Sequence, residues 1–150
     1  MMRPEYDIEM CIVSNPAYLC VVRATICTAL ERLGLDECEC GKVMLAVDEA
    51  LTNVIRHGYN GDNSQPIWVR FNPKTENGST TGFVIVIEDV AEQVDPEQIR
   101  GRDLEDIRPG GLGVHIIRQV MDDVQYTKRP EGGMRLYMAK SVSPGKVTQP

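Results

Sequence analysis

The sequence predicts an α+β fold, a two-layer α/β sandwich in which helices cover one face of a mixed, mostly antiparallel sheet. Short segments with the two-residue periodicity of strands are interspersed with longer segments of helical periodicity. Several of the strand segments are separated only by brief turns, which favours antiparallel neighbours. About five strands and three helices are enough to form two packed layers around one core.

The first sixty residues are predicted to hold one strand and two helices. Residues 7–13 alternate between apolar and polar and predict the strand. Asn15-Pro16 is a helix-start signal, a capping side chain followed by a proline in the first turn, so a helix is expected over 17–33. A second helix is expected to begin at residue 36 or 37 and to stop near Gly58.

The rest of the chain is predicted to hold four strands and a third helix. Residues 83–87, Phe-Val-Ile-Val-Ile, are apolar throughout, which predicts a central position in the sheet. Residues 88–111 have no apolar periodicity, and so long a loop in a compact domain is usually functional or disordered. The other elements are strands over 67–71, 124–128 and 134–139 and a helix over 112–121.

Length and composition predict a single domain over 1–150, with an ordered core over about 6–140 and a flexible tail over 141–150. The net charge of −6 argues against a nucleic-acid partner, because such binding relies on Lys and Arg at the phosphates. The five cysteines are odd in number and lack metal-binding spacing, so they are expected to be reduced and to pack as small hydrophobic side chains.

No membrane association is expected from the sequence. No apolar run approaches the ~20 residues of a membrane-spanning helix. The first seven residues do not have the pattern of a secretory signal peptide. A cytoplasmic location is therefore predicted.

The most informative segment lies in the second predicted helix, where Glu49 and Asn53 are four residues apart and so share one helix face. A carboxamide oxygen suits Mg²⁺, which takes few protein ligands together with water and substrate phosphates. A carboxylate one turn away can serve as a general base. Taken alone, this pair is more often part of an exposed helix face.

Two further features accompany this pair. Asp89 follows the most apolar strand, where a carboxylate can accept a hydrogen bond from an amine such as that of adenine; the alternative is a solvated strand end. Residues 109–114, Pro-Gly-Gly-Leu-Gly-Val, open the third helix, where glycines and free N–H groups suit a polyphosphate, although such glycines can also simply make a turn. Between these features, residues 91–110 are predicted to form a lid, to which Arg100, Arg102 and Arg108 add positive charge.

The order, spacing and element type of these motifs resemble the GHKL superfamily, the histidine-kinase-like ATPases with a Bergerat-type ATP-binding fold. Within it the chain resembles the anti-sigma-factor serine/threonine protein kinases. The resemblance covers about 6–140, and its most specific stretches are 49–59 and 109–117. Histidine kinases attach the same fold to a helical phosphoacceptor segment, which is not found in this sequence.

The resemblance implies a set of site residues and cofactors. Glu49 would be the catalytic base, Asn53 would bind Mg²⁺, and Asp89 would recognise the adenine of ATP. The remaining nucleotide-binding residues would be Ala91, Arg108, Gly110, Gly111, Leu112, Gly113 and Val114. The chain departs from the family pattern at Ala91 and Gln93, where glycines are usual, and at Met134, where a hydroxyl residue is usual.

The resemblance also implies a function. The protein would be an ATP-dependent kinase that phosphorylates a serine on a STAS-type antagonist protein and sequesters a sigma factor. A homodimer is implied too, with the strand over 7–13 and the helix over 17–33 as candidate partner surfaces. Two alternatives are a nucleotide-binding module that sequesters a protein partner with little phosphoryl transfer, and an ATPase-type conformational switch.

Overall fold

The computed structural model describes residues 2–99 and 112–143 and contains one five-stranded sheet. The strands are β1 (Ile8–Val13), β2 (Pro66–Glu76), β3 (Ser79–Glu88), β4 (Asp123–Lys128) and β5 (Met134–Ser141). They are ordered β1-β2-β3-β5-β4, and the four neighbouring pairs are all antiparallel. The α+β prediction is confirmed, and within the described residues the expected mixed sheet is an antiparallel one.

The described residues form three α-helices beside the sheet: α1 (Leu19–Arg32), α2 (Glu37–Asn53) and α3 (Gly113–Val120). The sequence predicted the second helix to continue to Gly58, but regular α-helix ends at Asn53 and a π-helical turn follows over Val54–Gly58. Single π turns within helices are frequent at functional sites. Two short 3₁₀ turns, at Pro16–Tyr18 and Pro96–Gln98, complete the described elements.

The start of α2 is fixed by a reciprocal cap. Asp36 Oδ1 accepts the Glu39 N–H at 2.8 Å, and Glu39 Oε2 accepts the Asp36 N–H at 3.2 Å. Such caps contribute about 1 kcal/mol and define where the helix begins. The register of α2, and with it the position of Glu49 and Asn53, is therefore set at this end.

The core lies between the helices and one face of the sheet. Ile85 and Ile87 of β3 point into it, as does Leu51 of α2, and all three are at most 2% exposed. The predicted central strand is confirmed, because β3 is the third of five strands. Its intervening residue Val86 points to the other face, yet it is 1% exposed between its cross-strand neighbours Arg70 and Tyr137. This burial on both faces explains the unbroken apolar run.

The ordered chain extends slightly further than the sequence predicted. β5 includes Ser141, and Val142 is buried with its N–H donating to Thr81 O at 2.9 Å. Residues 144–150 of the expected tail lie outside the described residues. None of the described helices has the length and apolar character needed to cross a membrane.

Candidate active site

A cavity of about 510 Å³ opens between the end of α2, the start of α3 and the ends of β3 and β5. The residues lining it that the sequence singled out are Asn53, Asp89, Ala91, Gly113 and Val114. They come from three separate parts of the chain, so the fold brings the predicted motifs together. Arg108, Gly110 and Gly111 lie outside the described residues, as do Arg100 and Arg102 and most of the predicted lid.

Glu49 and Asn53 lie beside the first residue of α3. A Cβ built on Gly113 would lie 2.5 Å from Glu49 Oε2 and 3.4 Å from Asn53 Nδ2, so only glycine allows this close approach. Both side chains are half-buried, and neither forms a hydrogen bond or ion pair with another residue in the described ranges. Their oxygens therefore remain available to a ligand.

The start of α3 forms the adjacent wall. The helix begins at Gly113, and Leu112, at the capping position before it, makes no side-chain hydrogen bond to the first N–H groups. Unsatisfied N–H groups and the partial positive charge of a helix start attract phosphate oxygens. Val114 is buried there, whereas Leu112, the residue before the helix, is 43% exposed and is not among the described residues that line the cavity.

The donor set near α3 suits Mg²⁺. The described residues contain no cluster of three or more His, Cys, Asp or Glu side chains that could hold a metal by themselves. Mg²⁺ is commonly held by one or two protein oxygens while water and substrate phosphates complete its shell. The carboxamide of Asn53 next to the start of α3 fits that mode of coordination.

Asp89 lies at another end of the cavity and is 6% exposed. Its Oδ1 accepts the N–H of Ala91 at 2.9 Å and the N–H of Met134 at 3.0 Å, while its Oδ2 has no hydrogen bond within the described residues. Burial raises the pKa of Asp89, and these two N–H groups oppose the rise. One oxygen thus fixes the carboxyl group, and the other is free to accept a hydrogen from a ligand amine.

The departure at Ala91 is accommodated. The backbone of Ala91 is not in the left-handed region, so an alanine fits there without strain. Its methyl group approaches Gly58 closely, since a Cβ built on Gly58 would lie 3.1 Å from Ala91 Cβ. A small residue in the π turn thus makes room for the larger one after β3.

Tyr59 and Arg129, for which the sequence predicts no role, hold the end of β3. The Tyr59 hydroxyl accepts the Val90 N–H at 2.9 Å and donates to Pro66 O at 2.6 Å. Arg129 donates from Nη1 to Asp89 O at 2.7 Å, and its guanidinium lies 5.1 Å from the Trp68 ring centroid. Arg129 also forms an ion pair with Glu88, Nε to Oε2 at 2.5 Å.

The departure at Gln93 has a structural role. Gln93 Nε2 donates to Arg129 O at 2.7 Å and to Gly133 O at 3.1 Å, which joins the loop after Asp89 to the turn between β4 and β5. Within this turn Gly133 has φ +84°, and a Cβ on it would lie 1.9 Å from Asp89 O. The loop and the turn are therefore in direct backbone contact, and Gln93 ties them together.

The chain is similar to bacterial protein kinases over nearly its whole length. It is 30% identical to the serine-protein kinase RsbW of Oceanobacillus iheyensis, over 95% of this chain and 91% of that protein. It is 28% identical to the serine-protein kinase RsbW of Bacillus velezensis, over 93% of this chain and 88% of that protein.

Two solved structures share the fold. One contains the RsbU and RsbW domains of Rv1364c from Mycobacterium tuberculosis, with a TM-score of 0.59 and 16% identity over 94% of this chain and 34% of that one. The other is the SiaB–SiaC complex of Pseudomonas aeruginosa, with a TM-score of 0.60 and 14% identity over 91% of both chains. At these identities the likeness supports the fold alone.

The family model described as the histidine kinase-like ATPase domain matches residues 12–140. This range contains the whole of α2, the end of β3 and the start of α3, which build the cavity. The resemblance seen in the sequence is confirmed by this match and by the curated relatives. The chain belongs to the histidine kinase-like ATPase domain family.

Proposed function

We propose that this protein is an ATP-dependent serine/threonine protein kinase that uses Mg²⁺ and phosphorylates a serine of a partner protein. One observation carries the proposal: Glu49 and Asn53, both without partners in the described structure, lie against Gly113 at the start of α3. Asp89, with one free carboxylate oxygen, faces the same cavity. The relatives that are 27–30% identical and named serine-protein kinases support it.

Different groups of this chain bind the adenine, the phosphates and Mg²⁺. Asp89 Oδ2 accepts a hydrogen from the adenine amine, the first N–H groups of α3 bind phosphate oxygens, and Asn53 holds Mg²⁺. Mg²⁺-ATP supplies the phosphoryl group and the charge neutralisation that phosphoryl transfer needs. Gly113 keeps the phosphate-binding helix start within reach of Glu49.

Glu49 acts as the general base. The serine hydroxyl oxygen bonds to the γ-phosphorus while the bond from that phosphorus to the β–γ bridging oxygen breaks, so ADP leaves. Glu49 takes the hydroxyl proton as the bond forms. None of the described Lys or Arg residues pairs with the Glu49 carboxylate, so its oxygens are available to the serine hydroxyl.

The regulatory part of the proposal is that the kinase is a cytoplasmic homodimer that sequesters a sigma factor and phosphorylates a STAS-type antagonist. The candidate partner surfaces, β1 and α1, carry none of the proposed nucleotide-binding residues. Their charges are partly engaged within the chain, since Arg23 pairs with Asp48 at 3.0 Å and Glu9 with Arg70 at 3.5 Å. A charged partner would compete for these pairs, so its binding would be sensitive to salt.

The alternative is a nucleotide-binding module that sequesters a partner with little phosphoryl transfer. Met134 favours it, because a thioether stands where a hydroxyl side chain is usual and cannot donate a hydrogen bond. The tie that Gln93 makes to Arg129 O and Gly133 O favours it too, since it restrains the loop at the point where the family has a flexible glycine.

One experiment separates the two functions. The wild-type protein and Glu49→Gln are incubated with γ-labelled ATP, Mg²⁺ and a co-encoded candidate antagonist, and ATP binding is measured in parallel by calorimetry. A kinase transfers label to a serine in the wild type alone, while both proteins bind ATP. If both proteins bind ATP and neither labels the antagonist, the protein is a nucleotide-binding module and not a kinase.

A further inference from the structure

One tyrosine of the cavity has no part in the reaction above. Tyr126 lies on β4, directly across from Leu136 of β5, which is itself opposite Ile87 of β3. All three residues line the cavity. The Tyr126 side chain is half-buried, and its hydroxyl has no hydrogen bond to any residue in the ranges that the structure describes.

Within the described residues, this phenol is a donor without an acceptor on the protein. Removing such a hydroxyl from water without a hydrogen bond destabilises the protein, so a hydroxyl kept in a cavity wall is suited to a ligand acceptor. Burial raises the pKa of Tyr126, although the positive charge of Arg118 opposes the rise. The hydroxyl is therefore protonated at neutral pH and can donate.

The neighbouring residues leave few other polar groups on this wall. Near the sheet, the described residues that line the cavity are Ile87, Asp89, Tyr126, Met134 and Leu136. Among these five, only Asp89 and Tyr126 carry strongly polar side chains. The backbone N–H of Met134 is already bonded to Asp89 Oδ1, and its thioether cannot donate. The wall thus offers one acceptor, Asp89 Oδ2, and one donor, the Tyr126 hydroxyl.

This acceptor and donor match the groups of adenine. Asp89 and Tyr126 lie two strands apart and two residues out of register, because Asp89 bonds to Met134 whereas Tyr126 is opposite Leu136. Their backbones are therefore roughly 12 Å from each other, and a purine ring with a hydrogen bond at each side spans such a gap. Adenine has an amino group that donates and ring nitrogens that accept. A 6-oxo purine presents an acceptor to Asp89 instead, and two acceptors in contact repel each other.

We propose that Tyr126 is a specificity-determining residue of the nucleotide site, whose hydroxyl donates a hydrogen bond to a ring nitrogen of the adenine held by Asp89. In this site Tyr126 supplies the polar contact that Met134 cannot make. The inference rests on the proposed adenine-nucleotide function and adds a residue that recognises a ring nitrogen of the adenine.

The test is a cycle of protein and ligand changes measured by calorimetry. Wild type and Tyr126→Phe are titrated with ATP and with its 1-deaza, 3-deaza and 7-deaza analogues, each of which replaces one ring nitrogen by a C–H group. The wild type is expected to bind one analogue about tenfold more weakly than ATP. Tyr126→Phe is expected to bind ATP about tenfold more weakly and that analogue no more weakly than ATP.

Tyr137→Phe is the matched control, because Tyr137 lies on the opposite face of the sheet, across from Val86. It should bind all four nucleotides like the wild type, and thermal unfolding should show that both variants fold. Equal loss of affinity for all four nucleotides in Tyr126→Phe would overturn the inference, because it would assign Tyr126 a packing role. Unchanged binding in that variant would overturn it as well. A wild type that binds no ATP would instead refute the proposed function itself.

Discussion

The two ends of the cavity are built in different ways. The end that is proposed to hold the adenine base, called the base end, is the one around Asp89. There Asp89 is held by two backbone N–H groups, and the segment around it is bound by Arg129, Tyr59 and Gln93. At the phosphate end, Glu49 and Asn53 have no partners in the described structure and are placed only by helix packing and the absence of a side chain at Gly113. The base end is therefore preorganised by the protein itself, while the phosphate end presents free groups that a cation and phosphates can engage.

The largest expected effect is at the phosphate end. Glu49→Gln keeps the shape of the side chain and removes its basicity. A positioned general base contributes ~10²–10⁴-fold to the rate, so serine phosphorylation should fall by that factor while ATP affinity stays near wild type. Single-turnover transfer and calorimetry check this. Transfer at the wild-type rate would mean that Glu49 is not the base.

The next effect tests how rigid the base end is. At Gly133 an added methyl group meets backbone, 1.9 Å from Asp89 O, at φ +84°. Gly133→Ala should lower the free energy of unfolding by roughly 2–5 kcal/mol. Gly132→Ala is the matched control, because φ there is +104° and nothing lies within 4 Å of the added methyl group. Equal losses in the two variants by chemical denaturation would show that backbone strain alone matters and that the contact with Asp89 does not.

The matching glycine-to-alanine change at the phosphate end, at Gly113, should affect the rate of transfer more than the stability of the fold. An added methyl group at Gly113 meets the end of a flexible side chain, 2.5 Å from Glu49 Oε2, which can move aside. Gly113→Ala should slow transfer about tenfold by displacing the carboxylate, with little loss of thermal stability. Gly41→Ala, on α2 with nothing within 4 Å, is the control and should leave transfer unchanged. A large loss of stability in Gly113→Ala would contradict the contrast between the two ends.

The smallest expected effect is a dependence of ATP affinity on pH, caused by Asp89 at the base end. Burial raises the pKa of Asp89, so protonation of this carboxyl begins at a higher pH than for an ordinary aspartate. Only the charged carboxylate accepts the adenine amine fully, so ATP affinity should decline as the pH falls through this raised pKa. The same shift disfavours the folded state as the pH rises, because the unfolded chain ionises more readily. Calorimetry across the acidic range checks the first effect, and an affinity that is flat down to the ordinary aspartate pKa would contradict it.

The fold could be predicted because its signals are local. Strand alternation and helix-start residues gave the order of the elements, and Asn15 does cap the first turn, accepting the Ala17 N–H at 3.0 Å. The hairpin of β2 and β3 extends beyond the predicted strands, because its polar end carries no apolar alternation. Its turn has positive φ at both central residues, +52° at Asn77 and +80° at Gly78. Asn-Gly is the pair that favours this type of hairpin turn.

The site could be predicted only in part. Glu49, Asn53 and Gly113 lie in stretches with recognisable local spacing. The π turn after Asn53 could not be seen, since the helical pattern continues through it. The contacts from Arg129 to Asp89 and from Gln93 to Gly133 each join residues 40 positions apart, and no local pattern in the sequence records such pairs.

The most direct test of the two-ended site is ATP binding with Mg²⁺ and with chelator, measured by calorimetry for the wild type, Asn53→Ala and Asp89→Asn. We expect Mg²⁺ to tighten ATP binding by the wild type. Asn53→Ala should lose this gain, and Asp89→Asn should keep it while binding ATP more weakly in both conditions. A wild type that binds no ATP, or an Asn53→Ala variant that keeps the full Mg²⁺ gain, would contradict the two-ended site.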